Sequence, residues 1–169
     1  ATPERGALMG NRGCLHDARG RLGTARWRTR AWIACLTAFG GRRRTLVAPG
    51  SYTELFFLDE ATAFAAGHRP CAECRRDAYR RFAEAWRAGH GLAPDATLRA
   101  SEIDAALHAA RVDAESHDHK TRDQRRTPAR LGDLPDGAMV LREGAPALWW
   151  QGALLPWSHG GYGPALETD

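Results

Sequence analysis

Ala66-Gly67-His68-Arg69-Pro70-Cys71-Ala72-Glu73-Cys74-Arg75-Arg76 places two thiols two residues apart, directly before an amphipathic stretch. A tight Cys-x-x-Cys turn lets both sulfurs face one point, and paired thiolates hold Zn²⁺ firmly enough to organise a small fold. The same spacing serves dithiol redox chemistry when it follows a strand of a βαβ unit and opens a helix. Here the residues before Cys71 read as helix, which argues against that use. Two packed free thiols are the remaining alternative, since free cysteine behaves as a small buried hydrophobe. Zn²⁺ is therefore the expected cofactor, with Cys71 and Cys74 as its first two ligands.

Working outward, residues 54–58 read as a short apolar strand. Asp59 is placed to cap a helix whose apolar face is Ala63, Phe64 and Ala66, with Gly67 as its C′ residue. Pro70 forbids continuation and delivers the chain into the thiol turn. A second helix over 75–87 puts Tyr79, Phe82, Ala83 and Trp86 on one side, read as core packing, with arginines 75, 76, 80, 81 and 87 around the rest. Toward the N-terminus, residues 1–13 lack periodicity and read as an arm leading to a strand at 14–16. Residues 26–39 then read as a strand with Ile33, Cys35, Thr37 and Phe39 on one face, and 42–47 as its antiparallel return.

Toward the C-terminus, the Gly-, Pro- and Asp-containing loop at 89–99 is the best candidate boundary. Ser101 with Asp104 forms a capping-box pattern before a helix that runs to about residue 112. A long polar and basic run, 113–131, precedes a meander of three pieces at 138–142, 147–151 and 154–157, and Tyr162 anchors the tail. The expected fold class is α+β: a small antiparallel sheet with a zinc knuckle followed by a helix, plus a C-terminal helix and β-meander. The expected units are 1–92 and 101–169, the second either separate or packed into the first.

The composition, 43% hydrophobic and 26% charged over 169 residues, excludes a disordered chain. No apolar run approaches the ~18 residues of a membrane span. No charged head with an apolar signal core opens the chain, and four cysteines need no disulfide framework at this size, so cytoplasm is the expected location. Lys120 is the only lysine in a chain of net charge +4, also rich in Ala and Gly, so the basic balance reads first as coding bias. Arginine also forks onto phosphate and guanine, which keeps nucleic acid compatible with the composition.

Residues 55–75 resemble the second half of the zinc-binding domain of the Ada DNA-repair protein. The shared order is an aromatic strand, an acidic-alanine helix ending in Ala-Gly, then Arg-Pro-Cys, two residues and Cys, over about one eighth of the chain. The resemblance implies metal ligation at Cys71 and Cys74, a turn shaped by Arg69 and Pro70, and, by analogy, a role for Arg69 or Arg75 on a phosphate backbone. It fails upstream, where the family carries its other two ligands and its methyl-accepting thiolate. This chain has Ala48-Pro49-Gly50-Ser51-Tyr52 there, so methyl transfer is not implied.

The remaining ligands must come from elsewhere. Cys14 and His16, at period two on one expected strand, would complete a Cys₃His site. Cys35 is the alternative, in an apolar setting that equally suits a core thiol. Ser116-His117-Asp118-His119, with His108 on the preceding helix and Glu54 nearer the N-terminus, offers the groups of a metal-dependent nuclease or nucleotide-processing enzyme, against a solvated loop as the plain reading. The leading expectation is a zinc-stabilised, DNA-related nucleic-acid-binding protein, with Arg69, Arg75, Arg76, Arg43 and Arg44 at the phosphates. A catalytic role for His117, His119 and His108, and a non-catalytic interaction module, are the alternatives.

Overall fold

A computed structural model describes residues 4–42, 45–112 and 125–166. The described residues form an α+β fold with two four-stranded sheets. The first sheet contains β1 (Leu8–Asn11), β2 (Ile33–Leu36), β3 (Leu55–Phe57) and β4 (Arg69–Pro70), in the order β3-β1-β2-β4. β1 runs antiparallel to both β2 and β3, whereas the two residues of β4 pair parallel to β2, Ile33 opposite Arg69 and Ala34 opposite Pro70.

Strand β1 lies inside the stretch expected to be an arm. Leu8, Met9 and Gly10 are all buried, so this central strand shows no apolar–polar alternation to betray it. Gly10 is required by packing: a Cβ there would stand 2.6 Å from the Phe57 ring and 2.8 Å from His68. The strand expected at 14–16 is reduced to one bridge, His16 to Leu22. The expected return strand at 42–47 is not formed among its described residues, where Val47 turns the chain with φ 55°. β1, not a neighbouring hairpin arm, is the antiparallel partner of β2.

Helix α1 (Glu60–Ala65) begins as expected: Thr62 N–H donates to Asp59 Oδ1 at 2.9 Å and Asp59 N–H donates to Thr62 Oγ1 at 3.1 Å. Gly67, at φ 88°, lets Gly67 and His68 N–H turn back onto Phe64 and Ala63 carbonyls, closing the helix. Helix α2 (Arg76–Gly89) follows the thiol turn, and Phe82 packs against Phe64 at 5.8 Å. Helix α3 (Ala100–Arg111) starts one residue before the expected cap, its first turn held by Arg99 N–H donating to Glu102 Oε2 at 3.1 Å. Asp104 does not cap it.

Instead the Asp104 carboxylate takes a two-pronged bond from Arg69, Nε to Oδ1 at 2.6 Å and Nη2 to Oδ2 at 2.9 Å, with both side chains under 10% exposed. This pair fastens α3 to β4. Two more bonds tie later elements to α1: Arg111 Nη1 donates to the Phe64 carbonyl, and Tyr162 O–H donates to Asp59 Oδ2 at 2.7 Å. The second sheet, β5 (Met139–Arg142), β6 (Ala145–Trp150), β7 (Ala153–Ser158) and β8 (Gly161–Tyr162), is the expected meander with one extra short strand. No helix among the described residues is long and apolar enough to cross a membrane.

His68 lies beneath the first sheet at 1% exposure, between Phe57 and Trp32. Burial, aided by the nearby Arg12 charge, pushes its pKa down to about 3, so the folded chain holds the ring neutral. The unfolded chain takes up that proton near pH 6.5. Stability contributed by the neutral ring is thus full above pH 6.5 and lost as pH falls toward 3.

Two outcomes follow. Asp104→Ala leaves Arg69 buried and unpaired and should destabilise by about 3–5 kcal/mol, while the double change Arg69→Met with Asp104→Leu recovers most of the loss in urea unfolding. Between pH 6 and 4 the wild type should lose up to roughly 1.4 kcal/mol per pH unit from His68, a slope diminished in His68→Gln; equal slopes in both proteins would refute the buried-neutral assignment.

Candidate metal centre and basic surface

The parallel pairing of β4 on β2 delivers the thiols to one point. Cys71 N–H donates to the Ala34 carbonyl at 3.0 Å, extending the ladder one step beyond Pro70 and setting Cys71 beside Cys35. Because side chains alternate along a strand, Ala34 enters the core while Cys35 faces the other way. Arg75 N–H then closes the turn on the Cys71 carbonyl at 3.1 Å and returns Cys74 to the cluster, where its sulfur accepts Leu36 N–H at 3.3 Å.

The sulfurs of Cys35, Cys71 and Cys74 lie within 4.8 Å of one another, and all three are free thiols. Tetrahedral Zn²⁺ with Zn–S near 2.3 Å needs sulfurs about 3.8 Å apart, a spacing inside that limit. Three cysteines could therefore hold a metal ion here.

The thiols are unequal. Burial and the neighbouring sulfurs push Cys35 up to about 12, and burial also raises Cys74. Burial acts upward on Cys71 too, but the N–H groups of Cys74 and Glu73 are directed at its sulfur, the latter at 3.4 Å, and bring it below the ordinary thiol value. Without a cation Cys71 is thus the thiol most readily ionised, and Cys35 and Cys74 resist ionisation. A divalent ion reverses this by stabilising all three.

The other expected ligands lie elsewhere. Cys14 S–H points to the His16 carbonyl at 3.5 Å, beside an open cleft of about 540 Å³, and is not part of the cluster. His16 is fully engaged: its Nε2 bonds the Ala48 carbonyl at 3.2 Å, and its Nδ1 meets Thr53 Oγ1 at 2.6 Å. Cys35 is brought to Cys71 and Cys74 in their place.

Arg69, expected at a phosphate, is buried on Asp104, and Arg75 reaches back to Glu60 Oε1 at 2.5 Å with its side chain 11% exposed. Arg76 is exposed. Arg43, Arg44, His117 and His119 lie outside the described residues. His108 packs edge-on against Trp27 at 4.4 Å, and Glu54 accepts Val47 N–H at 2.9 Å.

A basic surface does exist, on a different segment. Between Arg5 and Thr53 the chain carries ten arginines and one carboxylate, Asp17. The long connection from β1 to β2 exposes Arg19, Arg21, Arg26, Arg28 and Arg30. Whole-chain charge hid this concentration, because the remaining residues are net acidic. Compared with protein-family models, curated proteins and solved structures, the chain has no match in any of the three.

The thiol cluster predicts an order of reaction. In metal-free protein at neutral pH, iodoacetamide should modify Cys71 before Cys74 and Cys35, read by peptide mass analysis. One equivalent of Zn²⁺ should protect all three, and protection should fade on acidification as protons displace the ion.

Proposed function

We propose that the chain is a zinc-stabilised nucleic-acid-binding protein, with DNA as the first candidate ligand. Zn²⁺ at Cys35, Cys71 and Cys74 would hold the thiol turn against the first sheet, a structural task. The all-thiolate donor set suits Zn²⁺ over the harder ions Mg²⁺ and Ca²⁺. The partial resemblance to the Ada zinc-binding domain supports the same metal at Cys71 and Cys74.

The observation that carries the nucleic-acid reading is the arginine concentration on residues 5–53, with five exposed guanidiniums on one connection. Phosphate contacts are accordingly proposed at Arg19, Arg21, Arg26, Arg28 and Arg30, with Arg76 on α2, in place of the inward-held Arg69 and Arg75. Such contacts bind through release of condensed counterions and need no base sequence.

Purified protein should contain one zinc per chain. Cys35→Ser, Cys71→Ser and Cys74→Ser should each lose it, and Cys14→Ser should keep it; loss in the Cys14 variant would overturn the ligand set. Fluorescence anisotropy with a labelled duplex should show affinity falling linearly with salt on a logarithmic plot. Neutralising about three phosphates gives a slope near −2.7, roughly a 40-fold loss for a fourfold rise in salt. Arg26→Gln, Arg28→Gln and Arg30→Gln together should flatten that slope. No binding at 50 mM salt, or binding indifferent to salt, rejects the reading.

A further inference from the structure

The open cleft of about 540 Å³ is lined by residues between 14 and 28, all on the connection from β1 to β2, and its volume is that of a small-ligand site. Its wall is held in place by the chain's own bonds. Leu15 N–H donates to Thr53 Oγ1 at 2.8 Å, and Gly23 N–H donates to the Leu15 carbonyl at 2.9 Å. His16, bonded through both ring nitrogens, anchors the same segment.

Arg28 is set at this cleft by the backbone. Its N–H donates to the Arg12 carbonyl at 2.6 Å, and Thr29 N–H shares that acceptor at 3.1 Å. Gly13, at φ 94°, permits the close approach, because a Cβ there would stand 2.7 Å from Arg28 Cβ. A side chain at position 13 would displace Arg28 from the cleft.

The lining joins two kinds of group. Arg21, Arg28 and the Thr24 hydroxyl offer donors, while Leu15, Leu22 and Ala25 offer apolar surface. Leu22 is 70% exposed, more than any other large apolar side chain among the described residues. Asp17, the carboxylate of the lining, accepts Arg19 N–H at 2.9 Å, Arg21 N–H at 3.0 Å and Arg21 Nε at 3.0 Å. Arg21 thereby balances Asp17, and Arg28 gives the lining an excess of positive charge.

We infer that this cleft is a subsite for one nucleoside monophosphate unit, its phosphate on the Arg28 guanidinium and its base against Leu22 and Leu15. A cation beside an exposed apolar side chain matches a ligand that carries a flat ring and one phosphate, and the arginine–phosphate bond is charge-assisted. A base inside a duplex is stacked and cannot enter, so the occupant is an unpaired or a free nucleotide. The inference rests on the nucleic-acid reading for the class of its occupant and deepens it from backbone contact to capture of a single nucleotide.

Cys14, a half-buried free thiol of the lining, reports occupancy. In the full-length protein, adenosine 5′-monophosphate should slow iodoacetamide modification of Cys14 saturably, read by peptide mass analysis, and calorimetry should give the same affinity. Inorganic phosphate and adenosine should each bind about tenfold more weakly or worse. Arg28→Gln should cost about tenfold, Leu22→Ser should weaken adenosine and its monophosphate alike, and Arg130→Gln should change neither. Leu22 and Arg28 are both exposed, so these variants keep the fold. Leu22→Ser also keeps every charge and should leave the salt slope of duplex binding as it is, which separates the cleft from the basic surface. Protection of Cys14 by a single-stranded oligonucleotide as well assigns the occupant to a strand; protection by the mononucleotide alone assigns it to a free nucleotide. Absence of saturable mononucleotide binding, or equal affinity in wild type, Leu22→Ser and Arg28→Gln, overturns the subsite and leaves salt-dependent duplex binding intact. Mononucleotide binding without duplex binding at 50 mM salt keeps the subsite and removes the duplex reading.

Discussion

The Arg69–Asp104 pair sets the geometry on which the rest of the molecule depends. A two-residue strand such as β4 makes too few ladder bonds to hold its own register, yet everything at the thiol cluster follows from it. Arg69 fixes that strand from two directions: its backbone N–H donates to the Trp32 carbonyl at 3.0 Å, and its side chain grips Asp104 of α3 with two bonds. Desolvating both ions costs much of what their attraction returns, so the pair's worth lies in specifying one arrangement rather than in net stability. Only a guanidinium fork meets a carboxylate in this two-pronged manner, which is why a lysine could not substitute at position 69.

The parallel register places two unlike clusters on the same pair of segments. Trp32 neighbours His68 at 5.8 Å, and three residues further along each segment Cys35 neighbours Cys71. At about 3.3 Å per residue the two sites stand roughly 10 Å apart. One gathers sulfurs that resist ionising together; the other gathers guanidiniums that hold the carbonyls at the end of α1.

Much of the local structure was legible in the sequence. Asp59 and Gly67 bracket α1 as their chemistry demands, and the Gly-marked meander forms after residue 138, whereas Pro70, read as a helix terminator, lies in β4. What escaped the reading was non-local. β1 is covered on both faces and shows no alternation, and the parallel β2–β4 pairing joins residues 36 apart with no turn signal between them. The choice between Cys14 and Cys35 as third thiol turned on that pairing. Cys14 attracted attention through its polar neighbours, but only the register reveals that Cys35 is the residue set beside Cys71. Arg69 misled for a related reason: an arginine in a basic stretch reads as surface until its partner, Asp104, is located on another element.

This arrangement also joins metal binding to the state of the arginine cluster. The thiol turn and the segment bearing His68 are one continuous stretch, separated only by Arg69 and Pro70, so a cation at the sulfurs restrains the chain that lines the guanidiniums. In its absence, the ladder bond from Cys71 to Ala34 and the Arg69–Asp104 pair must hold β4 alone. They suffice to define the register while Cys35 and Cys74 are held against ionisation. Restraint from a metal held there would pass through β4 to His68 and the end of α1, where Arg12 and Arg111 find their carbonyls. A single strand of two residues, too short to persist unaided, is the mechanical link between the two charge clusters.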